Sequence, residues 1–389
     1  MASSNIITIL KTFCAASDAD PEKISYSTDA STIKGNAIGI AWPDNSEQLQ
    51  KIIRYCQREK LAITIRGSGT SLVGGAVPID SLVVDMSRFN RIKRIDLKES
   101  AVFVEAGVIL DDLNNALAKY GYEFPVKPGS HAACSIGGII STNAGGMLSP
   151  KFGKVIDWVE AIRIMDGTGK VFDFYGNQAK EFAGIEGCCG IILEAKLKIV
   201  EMPKHSSTDL FEFDNDLILI EKVNELKNDK DAIAIEYINS IAAGLAGMKQ
   251  KDWLLVKYAG TKGNLDALKA EKLWKLRENL YSVLVEAGYR IIEDPFLEKD
   301  MDKFIDWIKK QHAPCFGHIA FGVMHPHFEN SEDADRMNEV VKELGGKLIG
   351  EHGIGILKKK NASFIVVQKI RDMKSKYDPN NIMNKGRAV

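Results

Sequence analysis

Apolar positions recur along this chain with two periods. Near the start, Ile6, Ile9, Leu10 and Phe13 fall at helical spacing, which predicts an amphipathic helix. Shorter apolar stretches at 37–42, 61–65, 82–85 and 101–105 read instead as strands, with helices predicted over 46–60 and 110–120. The strand–helix–strand order from 37 to 65 supports an α/β unit. Asp166-Gly167 between 161–165 and 171–174 is a hairpin signal. A strand over 191–200 then runs to Met202-Pro203, a natural boundary. Beyond it, strands at 232–237 and 253–258 and helices at 265–287 and 301–311 predict a second, α+β domain.

Composition narrows the class. The 389 residues exceed a usual single domain. The 51 Lys+Arg against 52 Asp+Glu leave no basic footprint for nucleic acid. Six scattered cysteines contain no Cys-x-x-Cys pair for zinc or an iron–sulfur cluster, and vicinal Cys188-Cys189 reads as small core residues. Lys11 breaks the N-terminal apolar stretch too early for a signal peptide. No run approaches the ~20 apolar residues of a transmembrane segment. The expectation is a cytoplasmic enzyme, at most peripheral at a membrane.

Candidate chemistry begins where the 61–65 strand meets Arg66-Gly67-Ser68-Gly69-Thr70-Ser71, with Gly74 and Gly75 close behind. Glycines let backbone N–H groups crowd an anion, and the hydroxyls and Arg66 add donors and charge. No Lys-Ser or Lys-Thr pair completes a nucleotide triphosphate loop, and the spacing misses the dinucleotide fingerprint. An ordinary glycine-rich turn remains the alternative. A second cluster holds Pro128-Gly129-Ser130, Gly137, Gly138, Ser141, Asn143, Ala144, Gly145 and Gly146. A third holds Glu186, Gly187, Gly190, Ile191 and Ile192. Three clusters suggest an extended ligand.

The other concentration of chemistry is C-terminal. His318, His325, His327 and His352 are four of seven histidines, and Glu351 precedes His352 between glycines. Imidazole with carboxylate suits zinc or another divalent metal. On a regular strand His318 and His325 would face opposite sides, so the residues between them must turn or bulge.

These clusters resemble the flavin-binding domain of the vanillyl-alcohol oxidase and para-cresol methylhydroxylase superfamily. More narrowly, they resemble the branch containing the glycolate oxidase flavoprotein subunit, D-lactate dehydrogenases and D-2-hydroxyglutarate dehydrogenase. The resemblance runs from about Tyr26 to Arg387 and implies an α+β fold: a two-part FAD-binding domain (1–204), a substrate or cap domain (205–350) and a C-terminal segment (351–389) returning to the first. In such relatives the first glycine loop cradles the FAD pyrophosphate and the other clusters line the rest of the cofactor. Asn384 lies in a segment similar to the family's final turn and joins that set. Arg66–Ser71 contains no histidine, where several relatives attach flavin covalently, so FAD is expected to be non-covalent.

The resemblance also implies roles. His318, His325 and Glu351 match the family's metal ligands, and His352 its active-site base. Arg277, in Trp274-Lys275-Leu276-Arg277-Glu278, matches an arginine that binds the substrate carboxylate; read alone, it would be a solvated arginine on an amphipathic helix. The implied reaction is oxidation of a small D-2-hydroxy acid, with His352 taking the hydroxyl proton, the metal acting as Lewis acid and hydride passing to flavin N5. Ile292 stands where relatives acting on dicarboxylates place a lysine, which points to monocarboxylates such as D-lactate or glycolate, unless Arg290 supplies that charge. His327 stands where asparagine is commoner and is an additional or substitute ligand candidate. The family's Gly-Asp-Gly-Asn between the two metal histidines is Ala320-Phe321-Gly322-Val323 here, and the cap is short. A non-catalytic or electron-transferring flavoprotein subunit is therefore the alternative. Quinone, electron-transferring flavoprotein or an iron–sulfur subunit are the candidate electron acceptors, and a homodimer is left open.

Overall fold

A computed structural model describes residues 3–31 and 33–387. Within these residues, β1 (Ala15–Ser17), β2 (Ala37–Trp42), β3 (Ile63–Arg66) and β4 (Ser81–Asp85) form a sheet in the order β1-β2-β4-β3. β2 and β3 both run parallel to β4. Parallel strands need a crossover, supplied by the helix Ser46–Glu59. Asn45 caps it by accepting the Gln48 N–H, Lys60 ends it in the left-handed region (φ 55°), and Leu49, Ile52, Ile53, Tyr55 and Cys56 form its buried face. Polar residues occupy the remaining positions, so the helix lies on the sheet by its apolar stripe.

The second sheet contains β5 (Ile92–Asp96), β6 (Ala101–Glu105), β8 (Val159–Met165), β9 (Val171–Tyr175) and β10 (Ile191–Lys198), in the order β5-β6-β10-β8-β9. β7 (Tyr122–Glu123) pairs separately with β11 (Val200–Glu201). The expected hairpin is β8–β9, with Met165 opposite Val171. Its turn is closed by the Asp166 carboxylate, which accepts the N–H groups of Thr168 and Lys170. Cys188 and Cys189 are both fully buried, as expected for core residues.

The third sheet is antiparallel, in the order β12-β14-β13-β16-β17-β15. Its strands are β12 (Ser206–Phe213), β13 (Ala232–Ile238), β14 (Asp252–Ala259), β15 (Ile291–Ile292), β16 (Cys315–His318) and β17 (Val323–Phe328). The long helix Ala267–Glu286, capped by the Asp266 carboxylate, packs Leu280 and Leu284 into a core with Ile238 and Phe316. The C-terminal residues then return to the first two sheets. Helix Phe364–Tyr377 buries Ile370 and Tyr377 in the core of the second sheet. Met383 bridges in parallel to Ile63, and Asn384 accepts the Ile65 N–H while donating to the Glu186 carbonyl. No helix among the described residues is long and apolar enough to cross a membrane.

Candidate active site

The three glycine clusters wall one cavity of about 730 Å³, within the usual size of ligand pockets. The first contributes Gly67, Ser68, Gly69, Thr70, Ser71 and Gly75. The second contributes Pro128, Gly129, Ser130, Gly137, Gly138, Ser141 and Ala144; the third gives Glu186, Gly187, Gly190 and Ile192, and Asn384 joins them. Gly69 and Gly187 have φ of 71° and 65°, a region that side chains with Cβ avoid. The Glu186 carboxylate accepts the N–H groups of Ile354 and Gly355, tying the third cluster to the Glu351-His352 loop.

Several residues of the clusters do not line this cavity. The Arg66 guanidinium folds back onto the Thr28 carbonyl and lies over the Tyr26 ring, against a smaller pocket. Gly74 faces Ile33 and Ile356, and Gly146 is pressed against the Lys127 carbonyl. Asn143 ends the helix Ile136–Thr142 in the left-handed region and accepts the Ile156 N–H. Ile191 is in the core. Gly145 packs beside Ser149 and the Glu351 carboxylate.

The cavity extends to the third sheet, where Arg277, Tyr281, Ile292, His318, His325, Glu351 and His352 form its wall. Residues 319–321 make a 3₁₀ turn and Gly322 has φ 86°, so β16 doubles back into β17. This is the turn that the histidine spacing required. It sets His318 Nε2 and His325 Nε2 at 3.4 and 3.5 Å from Glu351 Oε2. The three donor atoms lie within 4.8 Å of one another. Glu351 Oε2 is buried and has no hydrogen-bond partner in the chain. An orphaned carboxylate oxygen facing two imidazole nitrogens is a donor set that fits zinc.

Burial acts against charge at this cluster, but the Glu236 and Glu351 carboxylates outweigh it and raise His318 to about 9. For Glu351 burial works upward, yet His318 and His325 hold it well below the usual carboxylate range. His327 does not belong to this group. It is wholly buried, its Nδ1 donates to the His325 carbonyl at 3.1 Å, and its ring lies beside Phe316 and Tyr281. Its Nε2 is buried without a hydrogen-bond partner, but it is not among the three donors gathered within 4.8 Å.

His352 stacks on His325 with ring centroids 5.0 Å apart. Its loop is held by Asp294, whose carboxylate accepts the N–H groups of Glu351 (2.5 Å) and His352 (2.6 Å) and pairs with the buried Lys358. Burial lowers His352 to about 4 against the opposing Asp294 carboxylate, so its imidazole is neutral at pH 7. Arg277 shares a helix face with Leu280 and Leu284, at spacings of three and seven, and is 5 % exposed. It stacks on Phe316 at 4.3 Å, pairs with Glu236 at 2.5 Å and keeps a buried Nε–H without a partner. Sequence reasoning missed Glu236, Asp294 and Lys358. The one available signal was a lone carboxylate inside the apolar run 232–238.

The next helix residue, Glu278, crosses to the second glycine cluster. His131 Nε2 lies 3.7 Å from Glu278 and its Nδ1 2.7 Å from Asp111. Glu278 chiefly, and then Asp111 against burial, raises His131 above its ordinary value. The stabilisation is therefore complete below the unfolded value of ~6.5 and lost as pH rises through the raised folded one. Thermal melts should show His131→Gln less stable than wild type at pH 6, with the difference shrinking as pH rises through the raised value.

Residues 37–175 match the family described as FAD binding domain, and residues 258–388 match FAD linked oxidases, C-terminal domain. Glycolate oxidase subunit GlcD of Bacillus subtilis (strain 168) is 26 % identical, over 95 % of this chain and 93 % of that protein. The D-lactate dehydrogenase of Anaerostipes hadrus is 25 % identical over 88 % of this chain and 87 % of its own. The D-2-hydroxyglutarate dehydrogenase of Xanthomonas citri pv. viticola is 24 % identical over 90 % and 89 %. A solved structure of alkyldihydroxyacetonephosphate synthase superposes with a TM-score of 0.72, covering 98 % of this chain and 84 % of that one, at 17 % identity. That last likeness speaks for the fold alone.

Proposed function

From a chain that belongs to the FAD-linked oxidases and acts on CH–OH donors, we infer an enzyme that oxidises a small D-2-hydroxy acid to the 2-oxo acid. One observation carries this reading: the orphaned Glu351 oxygen between two imidazole nitrogens lies on the wall of the cavity that the glycine clusters line. The backbone and hydroxyls of 67–71, 128–141 and 186–192 would hold FAD without a covalent bond. Bound there, FAD supplies the two-electron oxidising power. His318, His325 and Glu351 would hold zinc, whose chemistry is to make a bound hydroxyl more acidic.

The chain's own groups do the rest. Arg277, on the cavity wall, offers its guanidinium to the substrate carboxylate, and the stacking on Phe316 fixes the guanidinium plane. A carboxylate held there places the adjacent hydroxyl toward the imidazole cluster. His352, neutral at pH 7, accepts the hydroxyl proton. Anaerobic mixing of the metal-loaded protein with D- and L-2-hydroxy acids tests the whole. D-Lactate or a similar acid should bleach the flavin absorbance, and denaturation should release intact FAD. A protein that binds FAD and zinc but is bleached by no hydroxy acid would overturn the assignment.

A further inference from the structure

Glu236 sits in β13, a strand buried along its whole length, and is itself fully buried. Its two carboxylate oxygens go to different places. Oε1 is 2.7 Å from His318 Nδ1, and Oε2 is 2.5 Å from Arg277 Nη2. One partner ends β16 and the other lies mid-way along the helix Ala267–Glu286. His325 has no such support, since its Nδ1 is buried without a hydrogen-bond partner.

We propose that Glu236 is a positioning residue that couples the metal ligand His318 to the carboxylate clamp Arg277. The proposal rests on the roles given to those two residues above. In the neutral imidazole that a metal would bind, a carboxylate on Nδ1 leaves Nε2 of His318 as the lone-pair nitrogen and makes it a stronger donor. The Arg277 cation beside its other oxygen, an ion pair without a hydrogen bond, opposes rotation of the carboxylate away from the imidazole. The clamp therefore supports the metal ligand without touching it, and the two groups that must grip adjacent substrate atoms are held at a fixed separation.

The coupling can be read from zinc affinity alone. Flavin-loaded protein, stripped of metal, is titrated with zinc against a chromogenic chelator. Glu236→Gln should weaken zinc binding by about 10- to 100-fold, the usual effect of losing a carboxylate behind a histidine ligand. Arg277→Leu should also weaken it, because Glu236 is then free to leave His318. Simple electrostatics predicts the reverse, since removing a nearby cation favours a metal cation. In a Glu236→Leu background, Arg277→Leu should add nothing. The double variant also replaces the buried ion pair with apolar groups, a change that folded proteins often tolerate. If Glu236→Gln loses flavin, the double variant carries the test, with a loss of ~10-fold or more expected. Zinc affinity within twofold of wild type in both Glu236 variants, or tighter binding in Arg277→Leu, would overturn the coupling. A wild-type protein that binds no zinc would instead overturn the ligand set.

Discussion

His352→Ala is expected to keep its zinc and its flavin yet reduce the flavin at least ~100-fold more slowly, the usual scale for losing a general base. The imidazole stacks on His325 but is not among the three donors gathered within 4.8 Å. Its loop is held through backbone N–H groups on Asp294, so the side chain can be removed without releasing Glu351. His318→Ala and Glu351→Ala should behave differently, losing zinc and activity together. Removing His318 also deprives Glu236 of a partner, and removing Glu351 leaves two imidazoles without their carboxylate. Stopped-flow flavin reduction alongside metal analysis separates the two classes. Full zinc content in His318→Ala would sink the ligand set. Loss of zinc in His327→Ala would move it along β17.

A preference for monocarboxylates of ~100-fold or more in kcat/KM is the second large effect expected. Ile292 lines the cavity and pairs with His327 across β15 and β17, so the distal end of a substrate meets an aliphatic side chain. Arg290, the residue able to replace the missing lysine, is exposed and does not reach the cavity wall. An unpaired carboxylate buried beside Ile292 would cost several kcal/mol. At ~1.4 kcal/mol per factor of ten, that is a hundredfold or more. D-Lactate and D-2-hydroxybutyrate should therefore outperform D-2-hydroxyglutarate and D-malate. Ile292→Lys should narrow the gap by improving the dicarboxylates. A preference for dicarboxylates that vanishes in Arg290→Ala would reverse the conclusion and name the residue responsible.

How much of this was legible in the sequence depended on whether the deciding interaction was local. Strands 37–42 and 101–105 were, because alternation and burial are properties of adjacent residues. The β16–β17 turn was too, since the spacing of two histidines demanded it. Glu236 was not: an acidic residue in an apolar strand reads as a misfit until packing supplies a cation from a helix 41 positions later. Arg277 taken alone suggested a solvated side chain, although its place on the stripe of Leu280 and Leu284 argued against that. Arg66 shows the same dependence on distant partners. A cation beside glycines suggests an anion contact, but its guanidinium is engaged by Thr28 and Tyr26, far earlier in the chain.

The bond from Ile65 to Asn384 spans 319 residues, and the Asn384 side chain then reaches the Glu186 carbonyl. This one amide fastens the first glycine loop to the third. During synthesis the early strands can form as they emerge, but the clasp between the loops waits for a residue 319 positions after Ile65. Contacts of such separation form slowly, after much chain entropy has been lost. A nascent chain would therefore pass through a state in which strands of both sheets have paired while their cores and the cavity between the loops are still open.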